Sequence, residues 1–386
     1  MALSDLNPNF LNPVVEVRVY DSIEKDAMNI SVNLDLDFGA DKASFELDNE
    51  KGDALFKYFK WDGIEIWAGY DTPTEIIFRG LITTITPNMS NGNKVAFECQ
   101  NMGALIMFYP AKQYSYSERN IRALVERVLF WNEIPFNGSR RSLNLDGGNL
   151  LSVNETPVNG NTLMTTKINP NIPLHLTLKS KNDDTIANVI QKIKEKTAYE
   201  VWIDNEGYIR VEPLSVMQNP QVVALSLKYG ENLKDMSVGD LGQIYNRVEV
   251  YGLHPDNNYA FAEDLVLIAQ MLGQRRTFVM RDRSINDYAT CLKVAQEKLL
   301  QLVKNFKITA KTIFLPTLKQ GDAVTLENPF MGINGTFIVQ TVTHTISGDN
   351  AETDLELFGG IVSRVPEKAV VNKILSIATD DRRDER

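Results

Sequence analysis

Cysteine and histidine, the side chains on which much enzyme and metal chemistry depends, are scarce in this chain. Two cysteines, Cys99 and Cys291, and three histidines, His175, His254 and His344, occur in 386 residues. No histidine stands at metal-ligand spacing from a cysteine or a carboxylate, and no HExxH pattern occurs, so the sequence offers no metal centre. GxSxG, P-loop and GxGxxG patterns are also missing, which removes the common hydrolase and nucleotide-binding signatures. The sequence therefore calls for no cofactor and no catalytic residue. Each histidine reads as exposed or hydrogen-bonded, and neither cysteine has a Cys-X-X-Cys partner. With no export signal the two are expected to be buried thiols, Cys99 on a strand and Cys291 on a helix.

Long apolar runs are absent, so no segment reads as a membrane span or anchor. The opening MALSDLNPNFLNP has neither the basic nor the apolar region of a secretory signal. Basic residues are in the minority, 40 Lys and Arg against 50 Asp and Glu, for a formal charge of −10 with no basic run. That balance speaks against a protein that grips nucleic acid by neutralising phosphates. An acidic wall would instead let a polyanion pass without sticking.

What the chain does contain is a repeat. Residues 63–100, GIEIWAGYDTPTEIIFRGLITTITPNMSNGNKVAFECQ, and residues 321–358, GDAVTLENPFMGINGTFIVQTVTHTISGDNAETDLELF, present the same devices in the same order. Each opens on a glycine and a short alternating strand, and continues through a Pro/Gly loop into a second strand carrying Phe78 or Phe337. Each then has a Thr-aliphatic-Thr step, Thr84-Ile85-Thr86 or Thr341-Val342-Thr343, a Gly/Asn turn and a last alternating strand. Two copies of one β module in a single chain point to symmetry or pseudo-symmetry.

Ahead of the first copy, 14–20 and 28–37 alternate as half-buried strands, Ala43–Leu47 adds a third, and 53–60 has helical spacing. Residues 1–100 thus read as a compact antiparallel β domain, closed or nearly closed as a barrel. A helix is expected over 117–131 with Ser117 as its N-cap, then an Asn/Gly/Pro-rich stretch over 132–182 that suits a long loop or an excursion to a neighbouring subunit. A second helix, 184–198, begins at Asp183 or Asp184 and carries Ile186, Val189, Ile190 and Ile193. It leads into a hairpin of 199–203 and 208–211 that stops at Pro213. After strand 243–251 and a mixed stretch over 259–281, a helix is expected over 285–303. Ser284 and Asp287 suggest a capping box, and Tyr288, Leu292, Ala295, Leu299 and Leu302 an apolar stripe. Strand 306–314 enters the second copy. The tail 366–386 holds an amphipathic helix with Val370, Val371, Ile374 and Leu375 on one side, suited either to docking on a partner or to folding back on its own domain.

Along the last strand of each copy, Val95, Phe97, Leu355 and Leu357 are expected in the core, with Glu98, Asp354 and Glu356 facing solvent or a channel. The aromatics Trp67, Tyr70, Phe78 and Phe97 lie on alternating strands, which favours packing over a stacking surface for bases or sugars. Scattered carboxylates leave a glycoside hydrolase open as an alternative, and the β content leaves an adhesin-like carbohydrate-binding protein.

Three segments carry a family resemblance. YGENLKDMSVGDLGQIYNRVEVYG at 229–252 looks like the lead-in to the second barrel of baseplate hub proteins of contractile phage tails. DTIANVIQKIKEKTAYEVWIDNEGYIRVEP at 184–213 is similar to the helix and hairpin between their two barrels, and the repeat at 321–358 resembles their final barrel. The hub parts of type VI spike proteins and of phage-like injection particles are related. The resemblance implies a mainly β fold with an α+β insert. It divides as a first tube-like barrel over 1–110, an α+β domain over 111–229, a second barrel over 230–362 and a tail over 363–386. It implies a non-enzymatic homotrimer at the base of a virion tail, partnered by the tail tube, a separate central spike chain and other baseplate proteins. In such a ring three tandem chains present six barrels, matching a sixfold tube to a threefold spike.

Overall fold

The structure is a computed structural model. It describes residues 12–20, 22–38, 41–88, 93–101, 184–196, 199–217, 222–239, 245–255, 258–283, 285–303, 307–330, 333–348 and 350–359, with short pieces of 103–179. The fold is mainly β and the largest sheet is mostly antiparallel. By internal packing the chain divides into two units. One takes Met1–Pro213, Lys311–Gly321 and Val339–Leu355, and the other takes Leu214–Ala310, Asp322–Ile338 and Glu356–Arg386.

The first unit opens with β1 (Pro13–Val19), β2 (Ser22–Glu24), β3 (Met28–Asp35), β4 (Lys42–Asp48), the one-turn helix α1 (Ala54–Lys57), β5 (Gly63–Tyr70), β6 (Glu75–Asn88) and β7 (Lys94–Asn101). These strands follow the period-two rule: in β3, Ile30, Val32 and Leu34 are buried while Ser31, Asn33 and Asp35 are half-buried. Register then places like against like. Phe45 of β4 lies opposite Phe97 of β7, their rings stacked at 4.8 Å, and Val95, Phe97 and Cys99 are all buried as their alternation predicts.

The described residues of 115–179 include short ladders: β8 (Ser115–Ser117), β9 (Asn144–Leu145), β10 (Gly148–Asn149), β11 (Ser152–Val153), β12 (Pro157–Val158), β13 (Asn161–Thr162) and β14 (Thr177–Lys179). Ser117 is therefore not the expected helix cap. It ends β8 opposite Thr177, while Leu124, Val125 and Val128 are helical and buried. Helix α2 (Ile186–Lys196) buries Ile186, Val189, Ile190 and Ile193, and packs on the hairpin of β15 (Tyr199–Ile203) and β16 (Tyr208–Pro213). It begins two residues after the expected 184, and its cap is Thr185, whose hydroxyl accepts from Asn188 N at 3.2 Å. The Asp184 carboxylate reaches Lys192 at 2.6 Å.

In the second unit, helix α3 (Leu214–Met217) precedes β17 (Leu225–Lys228) and β18 (Leu233–Val238). The mixed stretch after β19 (Arg247–Tyr251) resolves into β20 (Tyr259–Glu263), helix α4 (Leu265–Gln270) and β21 (Thr277–Arg281). Helix α5 (Tyr288–Val303) covers the β19–β20–β21 sheet through Cys291, Ala295 and Leu302, against Val248, Val250 and Ala260. Asp287 caps it directly, accepting from Thr290 N at 2.8 Å. The helix begins three residues later than expected, and Tyr288 is 56% exposed rather than part of the stripe, its place taken by Cys291. Ser284 lies outside the described residues, as do Val370, Val371, Ile374 and Leu375.

The second repeat copy supplies β23 (Ala323–Asn328), β24 (Ile333–Ser347) and β25 (Asn350–Phe358), after β22 (Lys307–Ile313). Both copies are three-strand meanders with a long middle strand, β5–β6–β7 and β23–β24–β25. The order through the large sheet is β18-β22-β25-β24-β3-β4-β7-β6-β5-β1-β2. In β25, Leu355 and Leu357 are buried as expected.

Truncating Phe97 to alanine is expected to cost about 3–5 kcal/mol, because the cavity faces the Phe45 ring and cannot collapse. Glu98→Ala, one residue along on the exposed side, is expected to stay within about 0.5 kcal/mol. Urea unfolding of both variants checks the alternation.

Candidate functional site

The polar chemistry of the first unit gathers where β24 meets β3. Residues 341–346 of β24 pair antiparallel with 35–30 of β3. Side chains repeat the ladder: Thr341 Oγ1 donates to Asp35 Oδ2, Asn33 Nδ2 donates to Thr343 Oγ1, and Ser347 Oγ donates to Asn29 Oδ1, each at 2.9 Å. The Thr-aliphatic-Thr step of the second copy is thus a row of side-chain partners along a strand joint. Each hydrogen bond of this kind contributes about 1 kcal/mol net, but leaving one partner buried and unmet costs more.

Behind the joint, the turn between β3 and β4 buries a carboxylate. Asp41 is 1% exposed and accepts from Asp35 N at 2.7 Å and Asn101 Nδ2 at 2.8 Å. Burial pushes the Asp41 carboxyl well above the usual range, and raises that of Asp35 as well. Beside it, Lys194 of α2 is buried between Glu200 at 3.0 Å, Asp37 at 3.2 Å and Leu36 O at 3.0 Å. The β15–β16 hairpin is held through its turn. Asn205 Nδ2 donates to Ile76 O, Arg79 Nη1 donates to Glu206 O at 3.2 Å, and Gln320 Nε2 donates to Ile203 O at 2.9 Å. Gly321, at φ +86°, lies under the Trp202 ring, where a Cβ would come within 2.9 Å of Cζ2. Each charge named here has a hydrogen-bond or ion-pair partner, so the arrangement fixes parts of the unit against each other.

His344 is fully buried, its Nδ1 hydrogen-bonded to Thr353 Oγ1 at 2.9 Å and its ring edge-on to Phe314. Burial lowers its pKa to about 3, so it stays neutral through the physiological range. His254 is exposed on a turn, and His175 lies outside the described residues. Cys99 and Cys291 are free and buried, and burial pushes both thiols up, away from the reactive thiolate. Among the described residues no cluster of metal-ligating side chains occurs, and no helix is long and apolar enough to cross a membrane.

Phe78 and Phe97 are core residues, as alternation predicts, but Trp67 and Tyr70 are not. Trp67 lies on the opposite face of β5 from Ile64, Ile66 and Ala68. There Arg18 stacks on its ring at 4.2 Å and its Nε1 donates to Glu65. Glu98 and Asp354 are exposed, and Glu356 is half-exposed and paired with Lys307 at 3.2 Å. Lys311 pairs with Glu352 at 2.6 Å, so lysines of β22 are interleaved with the carboxylates of β25. Sequence reasoning marked neither Asn33 nor Lys194. The Thr-x-Thr step repeated in both copies was the one available signal, and it marks only one side of the joint.

No protein-family profile matches the chain, and no curated protein matches it in sequence. Solved structures do share its fold. The tail protein from Neisseria meningitidis MC58 superposes with a TM-score of 0.64 at 14% identity, over 90% of this chain and 96% of its own. The 43 kDa tail protein of prophage MuSo2 from Shewanella oneidensis gives 0.62 at 11%, over 90% and 98%. Prophage tail protein gp18 from Listeria monocytogenes EGD-e gives 0.54 at 10%, over 95% and 98%. The chain is therefore built on a fold found in tail proteins, two of them from prophages.

His344 predicts an acid sensitivity. Its folded pKa lies below its unfolded value of 6.5, so the unfolded chain binds the extra proton between pH 6.5 and about 3. The histidine's contribution to stability is complete above pH 6.5 and is lost as pH falls through that window, by about 1.4 kcal/mol per pH unit. Chemical denaturation at several pH values should show this slope in the parent chain and a flatter one in His344→Gln.

Proposed function

We propose that this chain is a structural hub subunit of a contractile-tail baseplate. Three copies form a ring that adapts the sixfold tail tube to the threefold central spike and leaves a passage for genome or effector. The observation that carries the reading is the repeated strand block: β18-β22-β25-β24 and β3-β4-β7-β6 follow one another in the sheet order of a single chain. A subunit with two like blocks offers two quasi-equivalent faces, so three subunits meet a sixfold partner on one side and a threefold partner on the other. The fold shared with tail proteins supports the same reading.

In this reading no residue performs covalent chemistry. Residues 1–110 and 230–362 supply the two tube-like barrels, 111–229 the α+β domain between them, and 363–386 a tail whose Val370, Val371, Ile374 and Leu375 dock on a neighbouring baseplate protein. Glu98, Asp354 and Glu356 line the passage, where carboxylates keep a polyanion from adhering. The protein is placed in the virion tail baseplate, assembled in the bacterial host cytoplasm, with tube, spike and other baseplate proteins as its partners.

Light scattering of the purified chain at micromolar concentration is expected to give three times the 43.5 kDa chain mass, with hollow rings in negative stain. Incubation with peptidoglycan is expected to release no fragments. A monomer would favour an adhesin, and glycan release would favour a hydrolase.

A further inference from the structure

The segment between β4 and β5 holds one aromatic ring down and turns three others out. Tyr58 is 4% exposed, its ring edge-on to Phe97 at 6.0 Å and its hydroxyl donating to Glu24. Phe56, Phe59 and Trp61 around it are 74%, 68% and 54% exposed. The Asp62 carboxylate braces the segment, accepting from Phe59 N at 2.8 Å and from the hydroxyl of Tyr20, itself half exposed, at 2.9 Å. Trp61 and Tyr20 both lie in the left-handed region, at φ +76° and +52°, which is costly for a bulky side chain. A braced and strained segment that keeps large rings in water is a surface built for contact.

The second copy shows the same position covered. Phe56 stands before β5 where Phe314 stands before β23, each seven residues ahead of Gly63 or Gly321. Phe314 is 2% exposed, and the Tyr70 hydroxyl donates to its carbonyl. The aromatic group of the first copy has no equivalent cover among the described residues.

The chain also carries an apolar stripe of its own. Residues 360–386 follow the last described strand, and Val370, Val371, Ile374 and Leu375 recur at helical spacing within them. Residues 360–369 reach across at most about 33 Å when extended. A helix over 370–378 is about 12 Å long. That is an arm long enough to leave its own subunit and a stripe long enough to lie over several rings. Charge gives the pairing a direction. Asp53 precedes the aromatic group and Lys60 stands near its end; both are exposed, with no ion-pair partner among the described residues, whereas Lys57 is already paired with Glu24. In the tail the order is reversed, with Lys368 ahead of the stripe and Asp380 and Asp381 after it. Laid parallel, each charge meets its opposite.

We infer, resting on the hub reading above, that the tail of one copy lies on the Phe56–Phe59–Trp61 surface of a neighbouring copy. Val370, Val371, Ile374 and Leu375 cover the rings, with Lys368 toward Asp53 and Asp380 toward Lys60. The neighbouring baseplate protein on which the tail docks is thus a second copy of this chain. The contact is an amphipathic stripe laid on an apolar surface, and it uses no sheet edge.

Two differently tagged full-length chains, one with Lys60→Cys and the other with Asp380→Cys, are co-expressed and treated with a short bis-maleimide. A two-chain band is expected on a denaturing gel, as it is for Asp53→Cys with Lys368→Cys. The exchanged pairing, Asp53→Cys with Asp380→Cys, is expected to give none. Val370→Asp combined with Ile374→Asp alters no described side chain. It is expected to move the trimer-to-monomer midpoint by roughly tenfold in concentration. It should also raise acrylamide quenching of Trp61, read as the difference from chains carrying Trp61→Phe. A parent chain that is trimeric by light scattering, with no band between chains and unchanged quenching in the tail variant, overturns the tail contact and leaves the hub reading standing. Equal yield in the exchanged pairing overturns the parallel docking. A cross-link that forms only when both cysteines are on one chain overturns the exchange between copies. A parent monomeric at tens of micromolar with no band overturns both readings.

Discussion

Everything in the first unit turns on one constraint: β24 is too long for a single neighbour. Its 15 residues exceed the six-residue β23 beside it, so the remainder of that edge must be satisfied elsewhere or left to water. β3 satisfies it over residues 341–346, with Asp35 and Asn33 reaching threonine hydroxyls across the joint. From that pairing follow the other placements. The β3–β4 turn is brought to Asn101, Asp41 is buried there, and the backbone carbonyl of Leu36 becomes an acceptor for Lys194. A strand-length mismatch fixes a joint, and the joint fixes a buried polar cluster behind it.

The Lys194–Glu200 pair illustrates what such a cluster contributes. Two buried charges cost several kcal/mol in desolvation, and their attraction roughly returns it. Net stability is small, but geometry is exacting, because Lys194 has three donors and meets Glu200, Asp37 and Leu36 O with them. A shifted helix α2 would strand a charge in an apolar interior. The pair thus sets the position of α2 against the turn after β3 more than it deepens the fold.

The repeat, the alternating strands and the burial of Val95, Phe97, Leu355 and Leu357 were legible in the sequence because each depends on local period alone. The burial of Cys99 and Cys291 was expected from the sequence as well. What escaped was set by distant partners. Asn33 and Thr343 are 310 residues apart, and nothing near either announces the other. Trp67 was expected to pack because it lies on an alternating strand, yet period two puts it on the face opposite Ile66, where Arg18 covers it. Asp287 caps α5 as a member of the expected box, whereas α2, expected to begin at Asp183 or Asp184, is capped by the Thr185 hydroxyl. The exposure of Phe56 had no signal in a single chain's sequence, because the same pattern at Phe314 is buried.

That last contrast explains why a tandem chain suits a ring. Where two like blocks are covalently joined, one joint forms within the chain at high effective concentration and can be built from exact side-chain partners, as Thr341 and Asp35 are. The Thr83–Thr86 stretch of β6 has no such partner among the described strands. It is short, ended by Pro87, polar in Thr84 and Thr86, and flanked by the exposed Phe56, Phe59 and Trp61. In the proposed ring, duplication would let the joint within the chain and the contacts between chains differ.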